Sequence, residues 1–264
     1  MVIDGNTRVY AVIGDPVSAV RSPEWFNMLF DKNGVNAVLI PLQVGRDDLA
    51  AAFAGLKTMR NLDGLVVTMP HKAPMCQLLD ELGPAARTVE AVNAARREPD
   101  GRWIGDMFDG RGCVRGLRDQ GHEVEGRSVF LLGTGAAGSA VAFALAEAGV
   151  RQLVIDDVDD QRRVRVAQRV REAFPGVDVQ AGELGASEYD LVINATPLGM
   201  KPGDPLPFDP AGLPASTLVV DVITKPVMTP LLDQAQQSGH RIHGGNHMHA
   251  GQAIEAARFF GLNI

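Results

Sequence analysis

The chain has 264 residues, enough for one large or two medium domains, and 45% of them are hydrophobic, enough for a sizeable core. A net charge of −7 argues against nucleic acid as a partner, and no apolar run reaches the length of a membrane span. The start, Met1-Val2-Ile3-Asp4-Gly5, is short and acidic for a secretory leader, and Cys76 and Cys113 have no metal or redox spacing, so reduced thiols in a cytoplasmic protein are expected.

Arg8–Ile13 reads as a strand, turned by Gly14-Asp15-Pro16. Ser22-Pro23 then opens a helix to Lys32, with Ser22 as N-cap and Pro23 at the first helical position. A strand over 37–44 follows, then a helix over 47–56 with apolar spacing at Leu49, Ala52, Phe53 and Leu56. Gly64–Thr68 is a third strand, ending in Met69-Pro70-His71-Lys72. This alternation implies a mostly parallel, open α/β sheet. Residues 91–95 and 103–105 suit a hairpin around Pro99-Asp100-Gly101, and 109–119 a helix.

Val129–Leu132 is an apolar run of strand length that meets Gly133-Thr134-Gly135-Ala136-Ala137-Gly138, and an alanine-rich helical run, Ser139–Leu145, follows at once. That order is what a dinucleotide site needs. Gly133 permits a tight turn. Gly135 has no Cβ, so a pyrophosphate can approach the backbone, and Gly138 lets the helix pack close. The helix N-terminus offers free N–H groups and a positive dipole end. A second strand, Gln152–Ile155, ends in Asp156, about 20 residues past the glycines, where an acid holds ribose hydroxyls. A helix over 159–174 and strands at 177–181, 191–193 and 218–220 complete a Rossmann-type domain, and 248–260 forms an alanine-rich final helix. The expected division is a first domain over 1–106, to which 240–264 returns, and a dinucleotide-binding domain over 107–239.

Several short runs, spread over most of the chain, resemble the shikimate and quinate dehydrogenase family. They are Gly14-Asp15-Pro16 with Arg21-Ser22-Pro23, Val67-Thr68-Met69-Pro70-His71-Lys72, Ala91-Val92-Asn93 and Gly105-Asp106-Met107-Phe108-Asp109-Gly110. Later come Asn194-Ala195-Thr196-Pro197-Leu198-Gly199-Met200, Asp221-Val222-Ile223 with Thr229-Pro230, and Gly245 through Met248 to Gln252. The resemblance implies a substrate domain joined to a Rossmann domain, with the active site in the cleft between them. It implies Lys72 and Asp109 as the catalytic pair. Thr68, Asn93 and Gln252 match residues that hold ring hydroxyls, and Ser22 matches one of two serines that hold a carboxylate. Asn194, Thr196, Val222 and Gly245 match positions along the nicotinamide half of the cofactor. The chain departs from the family at Val20 (a serine), Val66 (an asparagine), Ala94 (a threonine), Met107-Phe108 (Asn-Thr) and Thr224 (a tyrosine near the substrate). The hydroxyl-handling residues are kept and the carboxylate end is rebuilt, so a divergent member is expected. Arg21 is a candidate new anion contact there.

Oxidising a secondary alcohol sends a hydride to nicotinamide and a proton to a base. A lysine is a poor base at its free pKa of about 10.4; burial lowers that, a nearby carboxylate raises it, so Lys72 and Asp109 are expected to titrate as a pair. After the second Rossmann strand come Asp156, Asp157, Asp159 and Asp160, four carboxylates that disfavour a 2′-phosphate, so NAD is expected over NADP, unless Arg162 and Arg163 fold back. His240, His243, His247 and His249 lie close in sequence, but no cysteine or adjacent carboxylate joins them, and no metal is expected. His71 is expected to be structural. The leading expectation is an NAD(P)-dependent oxidoreductase for a small, cyclic hydroxy acid, acting as a monomer or homodimer without nucleic acid or membrane partners. The alternatives are a true shikimate or quinate dehydrogenase, and a non-catalytic NAD or ligand sensor.

Overall fold

The computed structural model describes residues 2–18, 20–185 and 188–262. The chain forms two compact units, Met1–Phe108 with Ala253–Ile264, and Asp109–Gln252.

The first unit contains β1 (Arg8–Gly14), α1 (Ser22–Lys32), β2 (Ala37–Gln43), α2 (Leu49–Lys57), β3 (Leu62–Val67), α3 (Lys72–Met75), β4 (Glu81–Leu82), α4 (Pro84–Val89), β5 (Ala94–Arg97) and β6 (Trp103–Asp106). Its sheet runs β2-β1-β3-β5-β6-β4. β1 lies parallel to β2 and β3, whereas β5 runs antiparallel to both β3 and β6. The antiparallel part comes from the expected hairpin, closed by Glu98 N–H donating to Arg102 O at 2.8 Å with Gly101 at φ 89. β5 begins at Ala94, and 91–93 lead into it as an irregular segment. Ser22 is the first residue of α1, after an Arg21 cap that makes no side-chain bond, so the expected capping role is absent. The core gathers Tyr10, Phe26, Phe30 and Phe260, whose rings lie 5.1–6.0 Å apart in the contacting pairs.

The second unit contains α5 (Asp109–Asp119), β7 (Ser128–Leu132), α6 (Ala136–Glu147), β8 (Gln152–Asp156), α7 (Asp160–Ala173), β9 (Asp178–Ala181), β10 (Leu191–Asn194), β11 (Leu218–Asp221), α8 (Pro230–Gln237), β12 (Arg241–His243) and the first part of α9 (Gly245–Phe259). Its sheet is parallel throughout, in the order β12-β11-β10-β7-β8-β9. The chain winds outward from β7 to β9, then returns to β10 and winds the other way. The order therefore reverses beside β7, the switch point at which doubly wound sheets bind ligands. α6 is buried nearly all round, from Gly138 to Ala146, as its unbroken small and apolar residues require.

Both boundaries differ from the sequence expectation, and the first shifts only slightly, with Met107 and Phe108 in the first unit. Residues 240–252 belong to the second unit, because β12 pairs with β11 in the register Val219↔Ile242. The return to the first unit begins at Ala253, inside α9, where Ala253, Ala256 and Ala257 form one helical face in the first unit's core. Among the described residues, no helix is long and apolar enough to cross a membrane.

Candidate active site

In the first unit, backbone hydrogen bonds hold Thr68 and Asn93 beside neighbouring strand ends and tie Lys72, at the start of α3, to the same segment. Thr68 N–H donates to Ile13 O at 3.0 Å, Val67 N–H to Asn93 O at 2.8 Å, and Val92 N–H to Lys72 O at 2.9 Å. Asn93 N–H donates to Asp106 O at 3.1 Å, and the Asn93 side-chain oxygen accepts from Phe108 N–H at 2.9 Å. Thr68 sits against Gly14 so closely that a Cβ on that glycine would lie 2.3 Å from Thr68 Cγ2 and 3.0 Å from Met69 O. His71 is fully buried with Nε2 against Val44 O at 2.7 Å, so it braces the loop that carries Lys72. Lys72 opens α3 and is half-buried. Ser22 is buried, and its hydroxyl makes no hydrogen bond among the described residues. Arg21 turns its guanidinium to Glu24 at 3.3 Å, with both side chains exposed. It is thus paired on the surface rather than presented as an anion contact.

In the second unit, the glycine turn has the features a dinucleotide requires. Gly133 has φ 98, and its Cβ would lie 2.8–2.9 Å from the backbone of Ala195 and Thr196. A Cβ on Gly138 would lie 2.0 Å from Gly133 O. Gly135 is the N-cap of α6, extended, with nothing within 4 Å of its missing Cβ. That leaves the Ala136 and Ala137 end of the helix approachable by phosphate oxygens. The acids divide the work differently from the sequence expectation. Asp157 accepts from Thr134 N–H at 2.6 Å and Thr134 Oγ at 2.7 Å, so it ties the turn to the end of β8. Burial alone would raise the Asp157 pKa; hydrogen bonds from Asp159 and Thr134 and the Arg162 charge outweigh it and hold the carboxyl below its usual value. Asp156 accepts from Arg163 Nη1 at 2.8 Å, and Arg162 Nη2 reaches Asp157 at 3.2 Å. Both arginines therefore fold back onto the acids.

Asn194 is fully buried. It donates to Asp221 Oδ1 at 3.2 Å and accepts from Thr196 Oγ at 2.7 Å and Thr196 N–H at 3.1 Å. Asp221 also accepts from Thr229 Oγ at 2.7 Å and Ile223 N–H at 3.0 Å. Burial pushes its pKa up, and those three hydrogen bonds pull against that. Asn194 thus shapes the loops that carry Thr196 and Val222, while offering no surface of its own to a ligand. A Cβ on Gly245 would lie 2.3 Å from Val222 O, which fixes the start of α9 beside the same loop. Thr224 is half-buried further along that loop.

Asp109 opens α5 and is buried, and Gln252 ends the second unit on α9. The two helices cross backbone to backbone. A Cβ on Gly112 would lie 2.5 Å from Gln252 N, one on Gly251 2.5 Å from Gly112 O, and one on Gly116 2.7 Å from the His247 carbonyl. Three glycines inside α5 (110, 112 and 116) cost about 1 kcal/mol each in helix propensity, which was the sequence signal for this crossing. Burial, and after it the Asp109 charge, pushes the neighbouring Cys113 thiol up to about 12, so it is inert. Of the four close histidines, His240 is turned to Pro210 O at 2.9 Å, while His243 stacks on His247 at 4.8 Å and meets His122 at 5.7 Å. Among the described residues, no three metal-ligating side chains are placed to hold a metal ion.

Comparison with known proteins places these features in context. A family model for the shikimate dehydrogenase substrate binding domain matches residues 12–95. The shikimate dehydrogenase (NADP(+)) of Rubrobacter xylanophilus is 37% identical over 97% of this chain and 91% of its own. The shikimate 5-dehydrogenase of Listeria monocytogenes, solved with shikimate and NAD, superimposes with a TM-score of 0.89 at 29% identity, covering 98% of this chain and 93% of that one. The 5-ketofructose reductase of Gluconobacter sp. strain CHM43 superimposes with a TM-score of 0.86 at 26% identity, covering 96% and 92%.

Proposed function

The chain belongs to the shikimate dehydrogenase family and is an NAD(P)-dependent shikimate dehydrogenase-like oxidoreductase, and from that premise we propose that Lys72 and Asp109 oxidise a secondary alcohol of a small hydroxylated substrate, with NAD preferred. The observation that carries this reading is the backbone lacing that sets Thr68 and Asn93 beside adjoining strand ends and ties the Lys72 backbone to the residue before Asn93, because it orders a base and two hydroxyl-binding groups together. A bound nicotinamide would supply the hydride acceptor, so that alcohol and NAD⁺ would give ketone, NADH and a proton. Lys72 takes the hydroxyl proton, and Asp109 holds the same hydroxyl as an acceptor. Thr68, Asn93 and Gln252 hold neighbouring hydroxyls. Gly135 and the first turn of α6 would receive the pyrophosphate, with the Gly133-Thr134 turn shaping the approach, and the open space at Gly135 suits that role. The Asp156 and Asp157 carboxylates would repel a 2′-phosphate, and although Arg162 and Arg163 do fold back, each is held by one of those acids, which supports NAD although the curated relative is named for NADP(+).

Shikimate and quinate are expected to be poor substrates, since Val20 and Thr224 replace polar groups that the family places on the substrate carboxylate. That the fold also carries a 5-ketofructose reductase supports a substrate other than shikimate. The test is turnover of a panel of hydroxylated compounds with NAD⁺, followed by NADH absorbance, in the wild type and in Lys72→Ala. Lys72→Ala should lower kcat by about 10²-fold or more and leave NAD affinity nearly unchanged. Near wild-type turnover in that variant would refute the assignment, and a panel without any turnover would favour a ligand sensor.

A further inference from the structure

Asn194, Asp221 and Thr229 form a fully buried polar cluster, with Asn194 and Asp221 at the C-terminal ends of β10 and β11. Asp221 accepts from Asn194 Nδ2 at 3.2 Å, Ile223 N–H at 3.0 Å and Thr229 Oγ at 2.7 Å. The first two groups can only donate. Thr229 Oγ already accepts from Leu232 N–H at 3.3 Å, which leaves its proton for Asp221. Three donors on one carboxyl favour its ionised form against the pull of burial. All three are neutral, and no cation acts on Asp221. His243, on the adjoining strand and paired with Val220, is kept neutral by burial. The protein thus satisfies the lone pairs of this carboxylate and leaves its charge uncompensated.

The place of that charge matters. The strand order reverses between β7 and β10, and doubly wound sheets bind a dinucleotide across such a switch point. With the pyrophosphate on the turn after β7 and the adenosine ribose beside the acids after β8, the nicotinamide half would fall over the ends of β10 and β11. The loop after β10 is tight against the glycine turn, since a Cβ on Gly133 would lie 2.8–2.9 Å from Ala195 and Thr196. Val222 N–H donates to Asn194 O at 3.0 Å, so the loop after β11 continues from it. Ala195, Thr196 and Val222 are part-exposed, and the Asp221 carboxylate is buried behind them. An oxidised nicotinamide ring is a cation and a reduced one is neutral, and in a low-dielectric interior a charge acts beyond contact distance. We propose that the buried Asp221 carboxylate favours the oxidised nicotinamide over the reduced one, acting through its field rather than by contact, and so sets the redox balance of the bound cofactor. The proposal rests on the dehydrogenase reading and adds to it an electrostatic role for Asp221.

Asp221→Asn removes the charge while keeping the shape and an acceptor for Asn194 and Ile223. Titration calorimetry with NAD⁺ and with NADH isolates the ring's charge, because the two ligands share every other contact group; NADP⁺ and NADPH take their place should those bind more tightly. The ratio of oxidised to reduced cofactor affinity should fall about fivefold or more in the variant. A purely structural role would weaken both forms together, so an unchanged ratio would overturn the proposal and leave the dehydrogenase reading intact. If the variant does not fold, the wild type decides. It should bind the oxidised form at least as tightly as the reduced one, and tighter binding of the reduced form would overturn the proposal. A protein that binds none of the four dinucleotides overturns the dehydrogenase reading and the proposal with it.

Discussion

Gly135 and Gly138 lie three residues apart in one turn, and the structure gives them opposite sensitivities. Replacing Gly138 by alanine sets a methyl 2.0 Å from Gly133 O and 3.2 Å from Ala195 Cβ. A carbon–oxygen contact needs roughly 3.3 Å, so the turn and α6 must part by about an ångström. Overpacking of that kind costs about 1–3 kcal/mol, and alanine's better helix propensity offsets about 1 kcal/mol of it. The net loss is about 0–2 kcal/mol, a fall in Tm of up to several degrees for a protein of this size. The parting also moves the N–H groups at the α6 N-terminus off the phosphate position, so NAD⁺ affinity should fall at least about tenfold, or about 1.4 kcal/mol. Gly135 has φ −63 and ψ −174, an extended backbone that alanine adopts, and nothing lies within 4 Å of the added methyl. Gly135→Ala should therefore keep Tm within a degree or two of wild type, or raise it slightly through the unfolded state. Its methyl stands where a pyrophosphate must approach, so NAD⁺ affinity should again fall about tenfold or more. Scanning calorimetry gives the first quantity and titration calorimetry with NAD⁺ the second. Wild-type NAD⁺ affinity in Gly135→Ala would refute the placement of the pyrophosphate on this turn.

NAD⁺ should bind at least about tenfold more tightly than NADP⁺, and Asp156→Ala, which removes one carboxylate and leaves Arg163 paired with Asp160 alone, should raise NADP⁺ affinity by a similar factor; unchanged NADP⁺ binding by calorimetry would count against this role for Asp156. Asp221→Ala removes the acceptor for Asn194, Thr229 and Ile223, and with buried donors left unsatisfied at about 1–3 kcal/mol each it should cost about 3 kcal/mol or more in urea denaturation. A loss below about 1 kcal/mol would show that the network is replaceable. Burial, then His247 and His122, pushes the His243 pKa down to about 3, while an unfolded imidazole titrates near 6.5. Between those values the folded chain binds fewer protons than the unfolded one. The His243 contribution is thus fully present above about pH 6.5 and is lost as pH falls, by at most about 1.4 kcal/mol per pH unit. Urea midpoints from pH 7 to pH 4 should slope less steeply in His243→Leu, and an equal slope would assign the acid sensitivity elsewhere.

How much was legible in the sequence follows from the range of the interactions involved. The second unit's strands, glycine turn and helices were readable because each is local. An apolar run of strand length, glycines where the backbone must pass close, and an alanine-rich helix all act over a few residues. The first unit's helix from Ser22 to Lys32 was readable for the same reason, through Pro23 in its first turn. Contacts between distant parts of the chain were not. That Asp157 rather than Asp156 clamps Thr134 depends on which way two adjacent side chains point from the end of β8. The polar, three-residue strand Arg241–His243 carries no periodicity and exists because β11 offers it an edge to pair with. Asp221 gave no local hint of its three partners, which arrive from β10, from its own loop and from the cap of α8. Val20, Val66, Ala94 and Phe108 were each visible as separate departures. Only the tertiary fold gathers them into one buried core, because side chains far apart in the chain meet only after the sheet and α1 have packed.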